Sequence, residues 1–454
     1  MSGRLTILLL LLNCSHGALA LSGYFWHISD LHLEPEYKLS NDLYTVCPSS
    51  GPNPALSAGP FGDYHCDSPW ALIESSIKAM KQFFPTPDFI FWTGDDTPHV
   101  ADSQLGSEKV FTIIQNLTTI INKTFPAVAV YSTLGNHDFH PKSQLPPGYN
   151  DFYERIASLW GSWLGNAQEK FKDGAYYKMT LSGQNKFHIL VLNTNLYYEK
   201  NMENENLEDP GNQFKWLENE LSAAVNLKDK VYIIGHVPPG MFEKKRDTFW
   251  FRPNYNKKYI EIIQKYHSAI AGQFFGHQHT DSFRMFYDNK GNPISTMFLT
   301  PAITPWKTTL SGVVNGANNP GIRLFEYDKD TLLVKDMVTY YLNLTYANRN
   351  SPRWEKEYRL SESFNVPDGS PVSMHEVLHK ISTKEFYLQK YYQLNSVNYD
   401  LSECNAHCRA KHVCAIKEVD FSRYKKCILE NSSVLISVMS VFWMLPLVVL
   451  GEMV

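Results

Sequence analysis

Apolar runs and polar clusters alternate along this chain. Residues 24–29, 88–93, 127–134, 231–234 and 269–275 are rich in Val, Ile, Phe and Tyr, and each reads as a buried strand. Between them, residues 69–84, 108–124, 151–164, 211–225 and 256–267 carry apolar side chains at helical spacing. In the first of these, Trp70, Ile73, Ile77 and Met80 share one face behind the starter Asp67-Ser68-Pro69. The alternation predicts an α/β layered sandwich. Later strands, over 297–300 and 322–327, are expected to complete a second sheet. After about Tyr346 the pattern turns helical and tyrosine-rich, predicting a C-terminal helical subdomain packed on the core.

Each of the five early strands ends in a polar cluster. In order these are Asp30-Leu31-His32, Gly94-Asp95-Asp96, Gly135-Asn136-His137-Asp138, Gly235-His236 and Gly276-His277-Gln278-His279. Any one alone reads as a turn glycine before a surface residue. Asn136 is a poor strand residue that needs a reason to sit there. His277 and His279 alternate, so on a strand they would face the same way. Together, carboxylate, imidazole and carboxamide groups delivered by several strand ends suit two divalent cations. Such ions, bridged by a carboxylate at about 3.5–4 Å, clamp both oxygens of an in-line phosphoryl displacement.

The order DxH, GD, GNH(D/E), GH, GHxH resembles that of the calcineurin-like metallophosphoesterases, over roughly residues 24–280. The longer words WHISDLHL, FWTGDDTPH, LGNHDFHP, IIGHVPPG and FFGHQHTD are similar to one branch, the acid-sphingomyelinase-like phosphodiesterases, in their membrane-anchored form. The resemblance implies a four-layer α/β/β/α sandwich with a C-terminal helical, disulfide-bonded subdomain. It also implies that Asp30, His32 and His279 hold one metal and Asn136, His236 and His277 the other, with Asp95 bridging. One bridging carboxylate with nitrogen and neutral oxygen donors suits two Zn²⁺ rather than Mg²⁺ or Ca²⁺, with Mn²⁺ and Fe²⁺ as alternatives. Pro98 stands where an iron-containing relative needs a tyrosinate. The leaving oxygen needs a proton; His137 is the first candidate acid and His99 the second, with orientation of ligands as the alternative role for either. Asp138 is expected to anchor His137 or the turn. His140 has no assigned role, and His188 and His267 read as ordinary packed or surface residues.

The ends of the chain set its compartment. Arg4, the apolar run 5–12 and Ala18-Leu19-Ala20 read as a secretory signal over 1–20, with an uncleaved anchor as the competing reading. Its removal takes Cys14 from the seven cysteines and leaves an even set suited to an oxidising compartment. Nearness suggests Cys47 with Cys66; the family pattern suggests Cys404 with Cys408 and Cys414 with Cys427. Asn116, Asn122 and Asn343 open glycosylation sequons. Residues 434–450 are apolar apart from two serines. The small residues Asn431-Ser432-Ser433 before them suggest a GPI-attachment signal over 431–454, with a membrane-spanning tail or a soluble product as alternatives.

The domain reading is therefore a leader (1–20), a metallophosphoesterase domain (21–345), a helical subdomain (346–430) and the tail. A net charge of −4 without any basic run argues against nucleic-acid polymers as partners. The expected protein is a monomeric phosphodiesterase on the extracellular face of the plasma membrane. Its expected substrates are small phosphodiesters or phosphoanhydrides such as nucleotides or CDP-choline-like head groups. The resemblance also implies an influence on membrane lipid composition and innate immune signalling. Acid sphingomyelinase carries a saposin-like domain ahead of its catalytic domain; here the first motif follows the leader closely, so direct sphingomyelin hydrolysis is expected to be poor. A membrane-anchored regulator that binds head groups or a receptor with little turnover is the alternative.

Overall fold

The computed structural model describes residues 21–431. The leader and the apolar tail lie outside those residues. Twelve strands run in chain order: β1 (Ser22–Ile28), β2 (Phe89–Trp92), β3 (Ala129–Ser132), β4 (Tyr177–Thr180), β5 (Phe187–Val191), β6 (Lys230–Ile234), β7 (Ile270–Phe275), β8 (Ser282–Tyr287), β9 (Pro293–Leu299), β10 (Gly321–Asp328), β11 (Val334–Leu342) and β12 (Trp354–Arg359). They form two six-stranded sheets, ordered β12-β11-β10-β1-β2-β3 and β4-β5-β6-β7-β9-β8. The central pairings β1–β2–β3 and β5–β6–β7 are parallel, so strands in each set end on the same side.

The sheets face each other across an aromatic layer. Phe25 meets Phe274 edge-on with centroids 5.3 Å apart, and Phe274 meets Phe325 at 5.1 Å. Alternation along β1 explains this: Phe25 and His27 point between the sheets, while Trp26 turns outward and donates its indole N–H to the Phe84 carbonyl at the end of the first helix. With both faces covered, β2 is apolar throughout, and β1 and β3 nearly so. Helices Trp70–Phe83 and Ser107–Thr124 pack with the first sheet, and helices Gln213–Leu227 and Pro253–Tyr266 with the second. The result is the calcineurin-like α/β/β/α arrangement.

Several expectations need correction. Residues 322–327 lie in β10, which pairs antiparallel with β1 in the first sheet and not in the second. Hydrophobic pattern marks a strand but says nothing of its distant neighbour. The region after Tyr346 is not wholly helical, because β12 adds to the edge of the first sheet through β11. Its Glu355, Lys356 and Glu357 disguise it, since edge strands carry charges that interior ones exclude. The expected helix over 151–164 breaks at Trp160, whose indole N–H donates to Thr118 Oγ1. Trp70 is 42% exposed; Leu72, Ile73, Ile77 and Met80 form the buried stripe instead.

Disulfides join Cys47 to Cys66, Cys404 to Cys408 and Cys414 to Cys427. The first closes the insertion between β1 and the first helix. The last ties helix Ala406–Lys417 to the helix over 421–431. Asn116 and Asn122 are exposed on helix Ser107–Thr124, and Asn343 is exposed where its side chain caps a short helix. Among the described residues no helix is long and apolar enough to cross a membrane.

Candidate metal centre

The polar clusters converge at the common end of the parallel strands. Strand β1 delivers Asp30 and His32, β2 delivers Asp95, β3 delivers Asn136 and His137, β6 delivers His236, and β7 delivers His277 and His279. The loops are laced together by backbone bonds: Asp30 N–H donates to Gly94 O at 2.8 Å, and His32 N–H to Asp95 O at 3.0 Å. Gly276 N–H donates to His236 O at 3.1 Å, joining the last two clusters.

Five of these side chains leave the backbone from left-handed positions. Asp30 (φ 52°), His32 (41°), Asp95 (59°), His277 (72°) and His279 (61°) all have positive φ. Residues with a Cβ disfavour that region and cluster there at functional sites. His277 and His279 thus converge through a turn beyond β7, not through the strand alternation expected from their spacing.

Donor atoms gather in three groups, each within 4.8 Å: an all-imidazole one of His32, His99 and His137, and two that include a carboxylate, Asp30, His32 and His279, and Asp95, His236 and His277. The Asp95 carboxylate lies between the last two, with Oδ2 at 3.0 Å from His236 Nε2 and 3.6 Å from His32 Nε2. Its Oδ1 accepts from the His137 backbone N–H at 2.8 Å. Asp138 anchors the turn, accepting from the N–H groups of Gly135, Asp95 and Asp96.

The donor set fits divalent cations. His32 Nδ1 lies 2.7 Å from Thr97 O and His236 Nδ1 2.6 Å from Thr93 O. A carbonyl only accepts, so each Nδ1 carries the proton and each Nε2 presents a lone pair. Among the described residues, His32 Nε2, both ring nitrogens of His277 and Asn136 Oδ1 are buried without a hydrogen-bond partner, while His236 Nε2 faces the Asp95 carboxylate. Buried polar atoms are rarely left so. With protons as the only cations, the charges are badly shared. Burial lifts the Asp30 carboxyl to about 7 and drives His32, His137 and His277 well below the usual imidazole range, with His279 down to about 3. His236 goes the other way: against its burial, Asp95 raises it to about 9. His32, His277 and His279 are thus already the neutral imidazoles a metal requires, and His236 would give up its extra proton to a cation bound beside Asp95.

A cleft of about 450 Å³ opens over these groups. His99 and His137 both line it, with rings 4.4 Å apart. His99 stacks flat on Trp306 at 3.7 Å, and its ring meets that of His32 at 4.1 Å. Tyr198 and Trp250 meet His277 edge-on, and Lys142, Lys200 and Lys244 also reach the cleft. His188 bonds Thr180 and Asp229, away from the centre, and His267 is exposed.

Two comparisons bear on this arrangement. The calcineurin-like phosphoesterase family model matches residues 23–281, and that of the acid sphingomyelin phosphodiesterase C-terminal region matches residues 292–434. The chain belongs to the acid-sphingomyelinase-like branch of the calcineurin-like phosphoesterases. It is 55% identical over 433 residues to human acid sphingomyelinase-like phosphodiesterase 3b, covering 95% of both chains. It is 41% identical to the cyclic GMP-AMP phosphodiesterase of Mus musculus, over 90% of this chain and 92% of that one. The protein is accordingly a phosphodiesterase, and its family implies a divalent metal.

Sequence reasoning missed several residues of this branch member's site. Asp67 looked like a helix starter, yet makes no capping bond; its carboxylate instead accepts from His99. Trp306, Tyr198, Trp250 and the three lysines lie outside any motif. No periodicity or spacing marks them, because only the folded chain brings them to the cleft.

Proposed function

We propose that this chain is a cell-surface dinuclear-zinc phosphodiesterase acting on small phosphodiesters and phosphoanhydrides. Asp30, His32 and His279 hold one cation; Asn136, His236 and His277 hold the other; Asp95 lies between them. The orphaned, buried ligand atoms in the two carboxylate-containing groups, with Asp95 between them, carry this reading. Bound there, two ions supply water activation and neutralise charge on the phosphoryl group. His137, kept neutral by burial, would take up a proton from solvent as the anionic phosphodiester binds and give it to the departing oxygen, and His99, fixed by Asp67 and Trp306, steadies the phosphoryl group. Zinc fits a centre with more imidazole than carboxylate donors.

Nucleotides or CDP-choline-like head groups suit the cleft. Trp250, Trp306 and Tyr198 offer aromatic surface for a base, and Lys142, Lys200 and Lys244 offer charge for further phosphates. The relative named for cyclic GMP-AMP acts on a phosphodiester of this kind. We place the protein on the secretory route, tethered by its tail as a monomer on the outer face of the plasma membrane. There, turnover of such compounds would bear on membrane lipid composition and innate immune signalling. Exposed sequon asparagines and the disulfides accord with that compartment.

The test is turnover of bis-p-nitrophenyl phosphate by the purified protein with and without chelator, beside the monoester. Chelator-sensitive diesterase activity restored by Zn²⁺ is expected. Full metal occupancy without turnover, or a preference for the monoester, would refute the reading.

A further inference from the structure

Behind the His277–His279 turn lies a charge pair with no exposure to solvent. Arg284 on β8 and Glu243 are both completely buried, with Nη2 to Oε2 at 2.5 Å. Burying two charges is costly, and such a pair is weak evidence for added stability. Its attachments point to a different value. Arg284 Nη2 donates to Gln278 Oε1 at 2.7 Å, and Glu243 Oε1 accepts from Thr280 Oγ1 at 2.6 Å. The two residues that flank His279 are thus held by opposite members of one ion pair.

We propose that the Arg284–Glu243 pair is a positioning clamp for the turn that carries His277 and His279. The inference rests on reading those histidines as metal ligands. The turn has reason to need a clamp. Both histidines sit at positive φ, where a side chain costs of order 1–3 kcal/mol and persists only if its surroundings over-determine it. From the front, the His277 N–H donates to the Asp30 carboxylate at 3.0 Å, and His279 O accepts from Ala302 N–H at 3.1 Å. From behind, the clamp fixes Gln278 and Thr280. The clamp is itself anchored: Arg284 donates to Met241 O and Phe283 O, and Asn395 Nδ2 donates both to Glu243 Oε1 and to Asp281 O. Asn395 ends helix Glu385–Asn395, so the C-terminal region braces the metal-binding turn of the catalytic sheets.

Gln278→Met and Thr280→Val each cut one tether without leaving a buried charge unpaired. Zn²⁺ retention by the full-length chain is measured by competition with a chelating dye, alongside unfolding of the metal-free protein and kcat at saturating Zn²⁺. Each variant should retain Zn²⁺ about tenfold less well. The metal-free unfolding midpoint should stay near that of the parent, and kcat at saturating metal should largely recover, a split that a general packing defect would not produce. His279→Ala is the control. If it loses Zn²⁺ while both tether variants hold it like the parent, the clamp is wrong and the ligand assignment stands. If His279→Ala itself keeps both metals, the ligand assignment falls first.

Discussion

Asp67 grips His99 at two points, accepting from its backbone N–H at 2.6 Å and lying 3.0 Å from ring Nδ1. With Trp306 stacked on one face, the ring has a single orientation, and the carboxylate selects the tautomer protonated at Nδ1. Thr304 Oγ1 donates to the same carboxylate, so the loop after β9 is drawn into the grip. Asp67→Asn should therefore lower kcat about ten- to a hundredfold while metal content stays at the parental level. Steady-state kinetics with metal analysis of the same sample checks this; parental kcat would remove Asp67 and His99 from the chemistry.

His137 is expected to supply the leaving-group proton. His137→Ala should cost about 10²- to 10⁴-fold in kcat on an ordinary diester with both metals kept. The loss should shrink for p-nitrophenyl esters, whose leaving group departs without a proton. Equal losses on both substrates would point away from acid catalysis.

Asp95 places one oxygen on the His137 N–H and the other between His32 and His236. Asp95→Asn removes the charge and turns an N–H₂ toward lone pairs, so the purified variant should lack at least one metal by elemental analysis. A fully metallated, active variant would overturn the bridging assignment.

Gly276 has no room for a side chain. A methyl group there would overlap Ser29 Oγ and press on the Asp30 carboxylate. Gly276→Ala should cost about 1–3 kcal/mol in unfolding free energy and weaken metal retention by displacing Asp30. Denaturant melts and chelator competition report the two effects separately.

Glu243 predicts an acid limb in stability. Burial alone would raise its pKa, but Arg284 above all, then His412 and the bonds from Thr280 and Asn395, bring it down to about 2, below the unfolded value of 4.5. Between those values the unfolded chain binds more protons than the folded one, so stability rises with pH. The contribution is complete above the unfolded pKa and is lost as pH falls toward about 2. Urea unfolding of the metal-free protein from about pH 3 to about pH 7 should show this slope, and Glu243→Gln should flatten it.

The glycine and ligand words could be read from the chain because each sits where an apolar strand must end. Strand ends bring Asp30, Asp95, Asn136, His236 and His277 to one side once the parallel order is assumed. The reason for the His277–His279 spacing was not legible, since a left-handed turn leaves no periodicity. Nor was the place of β10 or β12, because the partner of a strand lies elsewhere in the chain.

By itself, then, the sequence determined which side chains could ligate metal, and that they close successive strands. Local hydrophobic period and turn chemistry are short-range properties, and they are written in adjacent residues. Tertiary structure alone decided that Asp67 meets His99, that Arg284 and Glu243 straddle His279, and that a helix near Asn395 braces the turn. Those contacts join residues from 6 to 152 positions apart. They exist because burial obliges each polar group to find its partners inside the fold, and no local pattern can announce which partners those are.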